Sequence, residues 1–263
     1  MVEPVARIRL YQPEDKKLVQ FIIGKDDMEA LAVANKRAYF HPLTLAIWIG
    51  LSCIFAQVVG WLPKPEHGYL GYLSPLPAFA SMAVPIMFLC DWLNRPTFED
   101  RAQDDLRRPD LVDIPSYYSR SPSSGLWILE LGDKFVGLIA LDASSDSTST
   151  ETISTSAPPV KTRDGKVKYT EGTSSTATIR HFYVEELYRP AGIQHDLLTH
   201  AVRMAFSRDP KVQTIRASDT PLKPYVSEAL RQARFQLEAK TEKVGMLRWQ
   251  NSTHILRRKG WKS

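Results

Sequence analysis

The stretch IRHFYVEELYRPAGIQHDLL, residues 179–198, joins two kinds of periodicity. Its first part, IRHFYV (179–184), is dense in β-branched and aromatic residues and reads as the end of a strand that begins near TATIRHFYV. From residue 192 to 208 the pattern changes. Ile193, Leu197, Ala201, Met204 and Ala205 recur at helical spacing and predict a helix with one buried face. Between the two lies Arg189-Pro190-Ala191-Gly192. A strand that runs into a helix leaves the helix's first amides unpaired and aimed outward. With the positive end of the helix dipole, those amides form an anion site. Gly192 lacks the Cβ that would obstruct a close phosphate, and Arg189 adds charge nearby. Spacing by itself favours an ordinary strand-to-helix turn, so the rest of the chain has to weigh in.

Working outward, ARIRLY (6–11) alternates as a strand, and a helix opened by proline and acidic residues follows over 13–37. LWILEL (126–131), a GDK turn and FVGLIALD (135–142) predict a β-hairpin. VQTIRAS (212–218) reads as a strand, PLKPYVSEALRQA (221–233) as a helix, and RFQLEAK and KVGMLRWQ as closing strands. FEDRAQDDLRR reads as a separate exposed helix. Residues 143–176 are rich in Ser, Thr, Pro, Asp and Lys and carry too little apolar surface to offset ordering entropy, so they read as a mobile insert. The elements together describe a mixed α/β fold: a twisted sheet flanked by helices.

Two stretches break the soluble pattern. LTLAIWIGLSCIFAQVVGWL (43–62) holds no charged residue, and at about 1.5 Å per residue it reaches roughly 30 Å, the thickness of a bilayer's hydrocarbon core. LGYLSPLPAFASMAVPIMFLC (70–90) is equally uncharged but carries Pro75, Pro77 and Pro85. The short connector makes them a hairpin over 43–92, set between residues 1–42 and 93–263 of one domain, with the lipid bilayer as partner. Lys36, Arg37, Arg95 and Arg101 flank the hairpin, against Lys64 alone in the connector, which places both termini on the cytosolic side.

The net charge of +5 suits an anionic ligand or an anionic membrane face. No zinc-finger spacing, aromatic RNP run or long Lys/Arg stripe points to nucleic acid. Cys53 and Cys90 form no C-x-x-C pair, and His195 and His200 lie about 140° apart around a helix, so no metal set is expected. Cys90, at the edge of its apolar segment, is a candidate for palmitoylation. LRRKGWKS at the C-terminus reads as a solvated basic tail.

VEELYRPAGIQHDLL resembles the acetyl-CoA motif of the GNAT N-acetyltransferases. IRLYQPEDKKLVQFI, the hairpin's position, DLRRPDLVDIPSYYS and LWILELGDKFVGLIAL are similar to its membrane-anchored, camello-like branch. The resemblance implies acetyl-CoA as cosubstrate and an amine acceptor, an amino-acid conjugate or a lysine, at the endoplasmic reticulum. It implies that Phe182, Tyr183 and Val184 pair with the pantetheine arm. The turn residues Arg189, Ala191, Gly192, Ile193 and Gln194 would hold the pyrophosphate.

Four positions depart from the motifs. Gln194 stands where the family has Gly or Ala, and Pro190 offers no amide hydrogen. ALRQARF (229–235) puts Leu230 at the place of the tyrosine that protonates the leaving thiolate, and Arg234 at a glycine's. Glu130, His181 and Glu185 are the candidate bases, and Tyr225, one turn earlier than Leu230, the candidate acid. Glu130 as a paired surface carboxylate and His181 as a packed strand residue are the competing readings. Two other functions remain open: a GNAT-fold binding or regulatory membrane protein without turnover, and a hairpin that shapes membranes with a passive soluble domain.

Overall fold

The computed structural model describes residues 5–63, 65–149, 169 and 171–261. Seven strands form one sheet: β1 (Ala6–Leu10), β2 (Gly125–Leu131), β3 (Lys134–Ser144), β4 (Thr173–Val184), β5 (Thr214–Asp219), β6 (Gln236–Val244) and β7 (Trp249–Arg257). Their spatial order is β1-β2-β3-β4-β5-β7-β6. The pairs β1–β2, β2–β3, β3–β4 and β5–β7 are antiparallel, and β4–β5 is parallel. A parallel neighbour requires a crossover, which α6 (Ile193–Arg208) supplies. The mixed α/β class expected from the sequence is the class observed.

The chain falls into two compact units: residues 1–27, 101–243 and 249–263 in one, and 28–100 with 244–248 in the other. In the sheet-bearing unit, the uninterrupted apolar run of β2 and β3 is buried on both faces, as alternation across a pleat allows. Trp127, Leu129, Ile139 and Leu141 face α6 and α7 (Pro224–Gln232), whose Leu197, Leu198, Ala201, Val202, Ala229 and Leu230 complete that core. Leu126, Ile128, Leu138 and Ala140 face the other way. They pack on Val19, Ile22 and Ile23 of α1 (Lys16–Tyr39) and on the short helices α4 (Pro109–Val112) and α5 (Ile114–Tyr118).

The second unit holds α2 (Pro42–Val59), most of α3 (Leu76–Leu106) and the turn joining β6 to β7. Both apolar helices are long enough to cross a membrane, and only 11% of each apolar window is buried. Leu43, Ile47, Ile54, Val58, Val84, Phe88 and Trp92 are among the large apolar side chains left exposed. The helices meet through Trp48, whose indole N–H donates to the Phe79 carbonyl at 3.0 Å and whose ring meets Phe79 edge-on. Nearer the polar end, Asn35 donates to Asp91 at 2.6 Å and accepts from the buried Asn94 at 2.9 Å; Asn94 in turn accepts the Met246 backbone N–H.

Several expectations need correction. The second apolar segment starts as helix at Leu76 rather than at 70, after a 3-10 stretch. It does not stop before FEDRAQDDLRR, because α3 runs unbroken through Pro85 and Pro96. A proline costs its helix one backbone bond, and 31 residues of continuous helix absorb that loss here. KVGMLRWQ is strand only at its two ends and is broken by a turn over 245–248, with Gly245 (φ 68°) and Arg248 (φ 54°) in left-handed backbone. The two ends of the stretch 143–176, expected as a mobile insert, are ordered: β3 extends to Ser144 and β4 begins at Thr173, with Ser144 and Ser147 buried. Residues 150–168 and 170 lie outside the described residues. The basic tail is partly built in, since Leu256 is core and Arg258 donates to the carbonyls of Val212 and Asp209. Cys90 is buried, which removes it from the accessible thiols.

Candidate active site

The site begins with a β-bulge. Between β3 and β4, Ala140 faces His181 but Leu141 faces Ile179, so Arg180 is an extra residue on β4. The insertion flips the strand's parity. Before it, Ala177 and Ile179 point to the α6 side; after it, Phe182 and Val184 do, while Tyr183 points to the α1 side. The same residue marks the end of the parallel ladder. β4 pairs with β5 from Thr176↔Thr214 to Ile179↔Ala217, and no pairing follows although β4 runs on to Val184 and β5 to Asp219. The two strands part, and the edge of Phe182–Val184 is released from β5.

A buried ion pair holds the bulge. Arg180 reaches Asp142 at 3.1 Å, and Asp142 also receives the Tyr117 hydroxyl at 2.9 Å and lies 3.6 Å from Arg120. All three charged side chains are almost fully enclosed. Neither Arg180 nor Asp142 was singled out from the sequence, where a bulge leaves no mark beyond a charge inside an apolar strand.

Directly after β4 the chain makes a 3-10 turn (Glu186–Ala191) and enters α6 through Gly192, whose φ of 74° is left-handed. A Cβ at Gly192 would meet nothing within 4 Å, so the approach to the helix mouth is open. Not every expected donor is available. The Gly192 N–H turns back onto the Arg189 carbonyl (3.1 Å) and the His195 N–H onto that of Gly192 (2.9 Å). The amides of Ile193 and Gln194, the first two of α6, have no acceptor among the described residues. Gln194 is itself buried, its Oε1 without a hydrogen-bond partner. Arg189 does not extend toward the helix mouth. Its Nε donates to the Val184 carbonyl at 2.7 Å, and its guanidinium lies over the Tyr225 ring, 4.1 Å from the centroid.

The candidate catalytic residues separate. Glu130 lies on β2, two strands from β4, and accepts from Arg9 at 2.6 Å. His181, carried by the bulge to the α1 side, has its Nε2 2.8 Å from Asp110 Oδ2, and Asp110 also accepts the Tyr118 hydroxyl. Burial pushes Asp110 up, but His181, Tyr118 and Arg180 outweigh it and hold the carboxyl below its usual range. Tyr225 comes closest to the released edge: its hydroxyl is 3.4 Å from the Phe182 carbonyl and 3.2 Å from Asp26 Oδ1. Leu230 is fully buried in the core. Arg234 holds a left-handed φ of 64° just past α7, the conformation that glycine adopts most readily.

Residues of α1 complete the site. Lys25 pairs with Glu185 (2.7 Å) at the end of β4, and Lys223 pairs with Asp26 (2.6 Å) and lies 3.5 Å from Asp27. Asp27 Oδ2 is enclosed and has no hydrogen-bond partner among the described residues. The sequence reading named Glu185 as a possible base but passed over Lys25, Asp26, Asp27 and Lys223. KDD inside the apolar run FIIGKDDMEALAV is a visible irregularity, but nothing in one chain says which strand it will face.

No family model and no curated protein matches the chain. Solved structures are similar to it. A ribosomal-protein-S5-alanine acetyltransferase from Vibrio fischeri is 9% identical with a TM-score of 0.44, over 98% of this chain and 96% of that one. A GNAT-family acetyltransferase from Staphylococcus aureus Mu50 is 9% identical with a TM-score of 0.45, over 96% and 99%. A Salmonella typhimurium structure described with its cofactor acetyl-CoA is 9% identical with a TM-score of 0.43, over 98% and 96%. At this level of likeness, the functional reading falls to the chain's own geometry.

Proposed function

We propose that the chain is a membrane-anchored N-acetyltransferase that moves an acetyl group from acetyl-CoA to an amine. The observation that carries it is the parting of β4 from β5 after Ile179↔Ala217, directly ahead of the open N-terminus of α6. An extended arm bearing amides finds a strand edge at Phe182–Val184, and a diphosphate finds the amides of Ile193 and Gln194 beside a glycine with free space. For the arm to pair there, Arg189 must leave the Val184 carbonyl and Tyr225 the Phe182 carbonyl. Tyr225 then stands beside the strand as the proton donor to the departing thiolate. The exposed apolar faces of α2 and α3 support the anchor, with the endoplasmic reticulum and cytosolic termini as its proposed setting.

Full-length protein in detergent tests this by thermal unfolding with acetyl-CoA and CoA. A ligand at a hundred times its Kd stabilises by about 2.7 kcal/mol, a clear shift in Tm. Gly192→Asp should abolish the shift while Gly192→Asn keeps most of it, since both strain the same backbone and only one places a carboxylate against the diphosphate. An absent shift in the unmodified chain, or equal behaviour of the two variants, defeats the proposal. A second reading, a binding or regulatory protein without turnover, draws on Leu230 and on the two strand carbonyls already held by Arg189 and Tyr225. Release of CoA thiol in the presence of an amine excludes it.

A further inference from the structure

We infer that Asp27 is the base that takes the proton from the acceptor amine, an inference that rests on the transferase reading above. The released end of β4 is ringed by carboxylates, and their partners distinguish them. Glu185 is paired with Lys25, Asp26 with Lys223 and Tyr225, and Asp110 with His181 and Tyr118. Glu130, farther off, is paired with Arg9. Asp27 differs. Its Oδ1 has only the longer 3.5 Å contact to Lys223, and its enclosed Oδ2 has no hydrogen-bond partner among the described residues. Buried polar atoms are nearly always satisfied, so an unpartnered carboxylate oxygen beside a candidate acyl-transfer site implies a group that arrives with the substrate.

Four successive contacts connect Asp27 to the reacting strand. Asp27 contacts Lys223, Lys223 contacts Asp26, Asp26 meets the Tyr225 hydroxyl, and that hydroxyl lies against the Phe182 carbonyl. Three neighbouring elements place charge around Asp27: Lys223 ahead of α7, Asp105 of α3 and His181 of β4, with Asp26 beside it on α1. Burial raises its carboxyl most, Lys223 and His181 oppose this, and Asp105 and Asp26 add to it, leaving it at about 6. Such a base is ionised at neutral pH and still basic enough to accept a proton.

The step balances as follows. The acceptor enters as R–NH3+, and one N–H proton passes to Asp27 Oδ2. The freed nitrogen pair attacks the thioester carbonyl carbon, forming C–N. The tetrahedral adduct collapses with cleavage of C–S, the electron pair staying on sulfur, and the thiolate takes a proton from the Tyr225 hydroxyl or from water. A second proton leaves the nitrogen to water, giving the neutral amide and CoA; where Tyr225 was the donor its tyrosinate takes a proton back from water, and Asp27 returns its proton to solvent. The acceptor class this favours is a primary ammonium, drawn by Asp26 and Asp27, which share Lys223 between them, while Asp105 is held by Arg108.

The test uses full-length protein with acetyl-CoA and two probe amines, Nα-acetyl-L-lysine methylamide and L-leucine amide. It measures kcat/KM from pH 5 to 9 and the acetyl-CoA Kd by calorimetry. The expected result is an acid limb near pH 6, a 10²–10⁴-fold loss in Asp27→Asn with the limb flattened, partial recovery in Asp27→Glu, and Kd within threefold throughout. An Asp27→Asn enzyme within threefold of the unmodified rate, its limb in place, overturns the inference and leaves the transferase reading standing. Acetyl-CoA binding without transfer to either amine also overturns it. Absence of acetyl-CoA binding removes the transferase reading and the inference together.

Discussion

Asp27 has a consequence for stability that is separate from any chemistry. An unfolded aspartate titrates near 3.9, whereas Asp27 in the fold titrates at about 6, chiefly because burial disfavours its charge. Between those values the folded chain binds the extra proton, so stability falls as pH rises from about 4 to about 6 and stays lower above that. A two-unit gap corresponds to about 3 kcal/mol. Asp27→Asn is neutral at every pH and removes that loss. Relative to the unmodified chain, it should therefore gain about 2 kcal/mol on going from pH 4 to pH 8 in denaturant melts. A difference that stays flat with pH would show that the carboxyl is solvated in the fold. The same residue thus carries a stability cost that a purely structural aspartate would shed.

The bulge in β4 is the element on which the site turns. One inserted residue changes three things together: it ends pairing with β5, moves His181 and Tyr183 to the α1 side, and turns Phe182 and Val184 toward α6. Arg180 can occupy that position only because Asp142 neutralises it in a closed environment, with Tyr117 hydrogen-bonded to the same carboxylate. Removing one partner of a buried pair strands the other's charge and costs about 3–5 kcal/mol. Asp142→Ala should lose stability by that amount in urea melts, because it strips the buried Arg180 of its ion-pair partner, whereas Arg120 keeps Asp146 at 2.7 Å. A loss under 1 kcal/mol would mean that water reaches the cluster. TATIRHFYV already read as a strand leading to a glycine turn, since composition and spacing suffice for that. The bulge did not, because inserting one residue alters registry with β3 and leaves the local composition unchanged.

At the scale of the molecule, a sheet-bearing unit and a helical unit with exposed apolar faces share one chain, which passes between them four times. Water tolerates single exposed apolar residues, but not two whole helices of them. The full chain expressed in cells should remain in the membrane pellet through alkaline carbonate washing and enter solution only with detergent. Recovery in the carbonate supernatant would defeat the anchor. Pro96 teaches the converse lesson about breakers. The sequence reading ended the apolar segment at 90 and began a new helix after the proline, yet the backbone continues as one helix to Leu106.

What the sequence determined by itself was whatever depends on periodicity and composition. That includes most of the strands and helices, the uncharged hairpin segments, the glycine at the start of α6 and the inability of Leu230 to serve as an acid. Tertiary structure decided which groups meet. It gave Glu130 to Arg9 and His181 to Asp110, laid Arg189 back over Tyr225, and brought Lys25, Asp26 and Asp27 of α1 to the end of β4. The physical reason is that hydrophobic patterning fixes which face of an element is buried, whereas charge partners are chosen across distances of 70 to 200 residues by registry, and one bulge is enough to reset it.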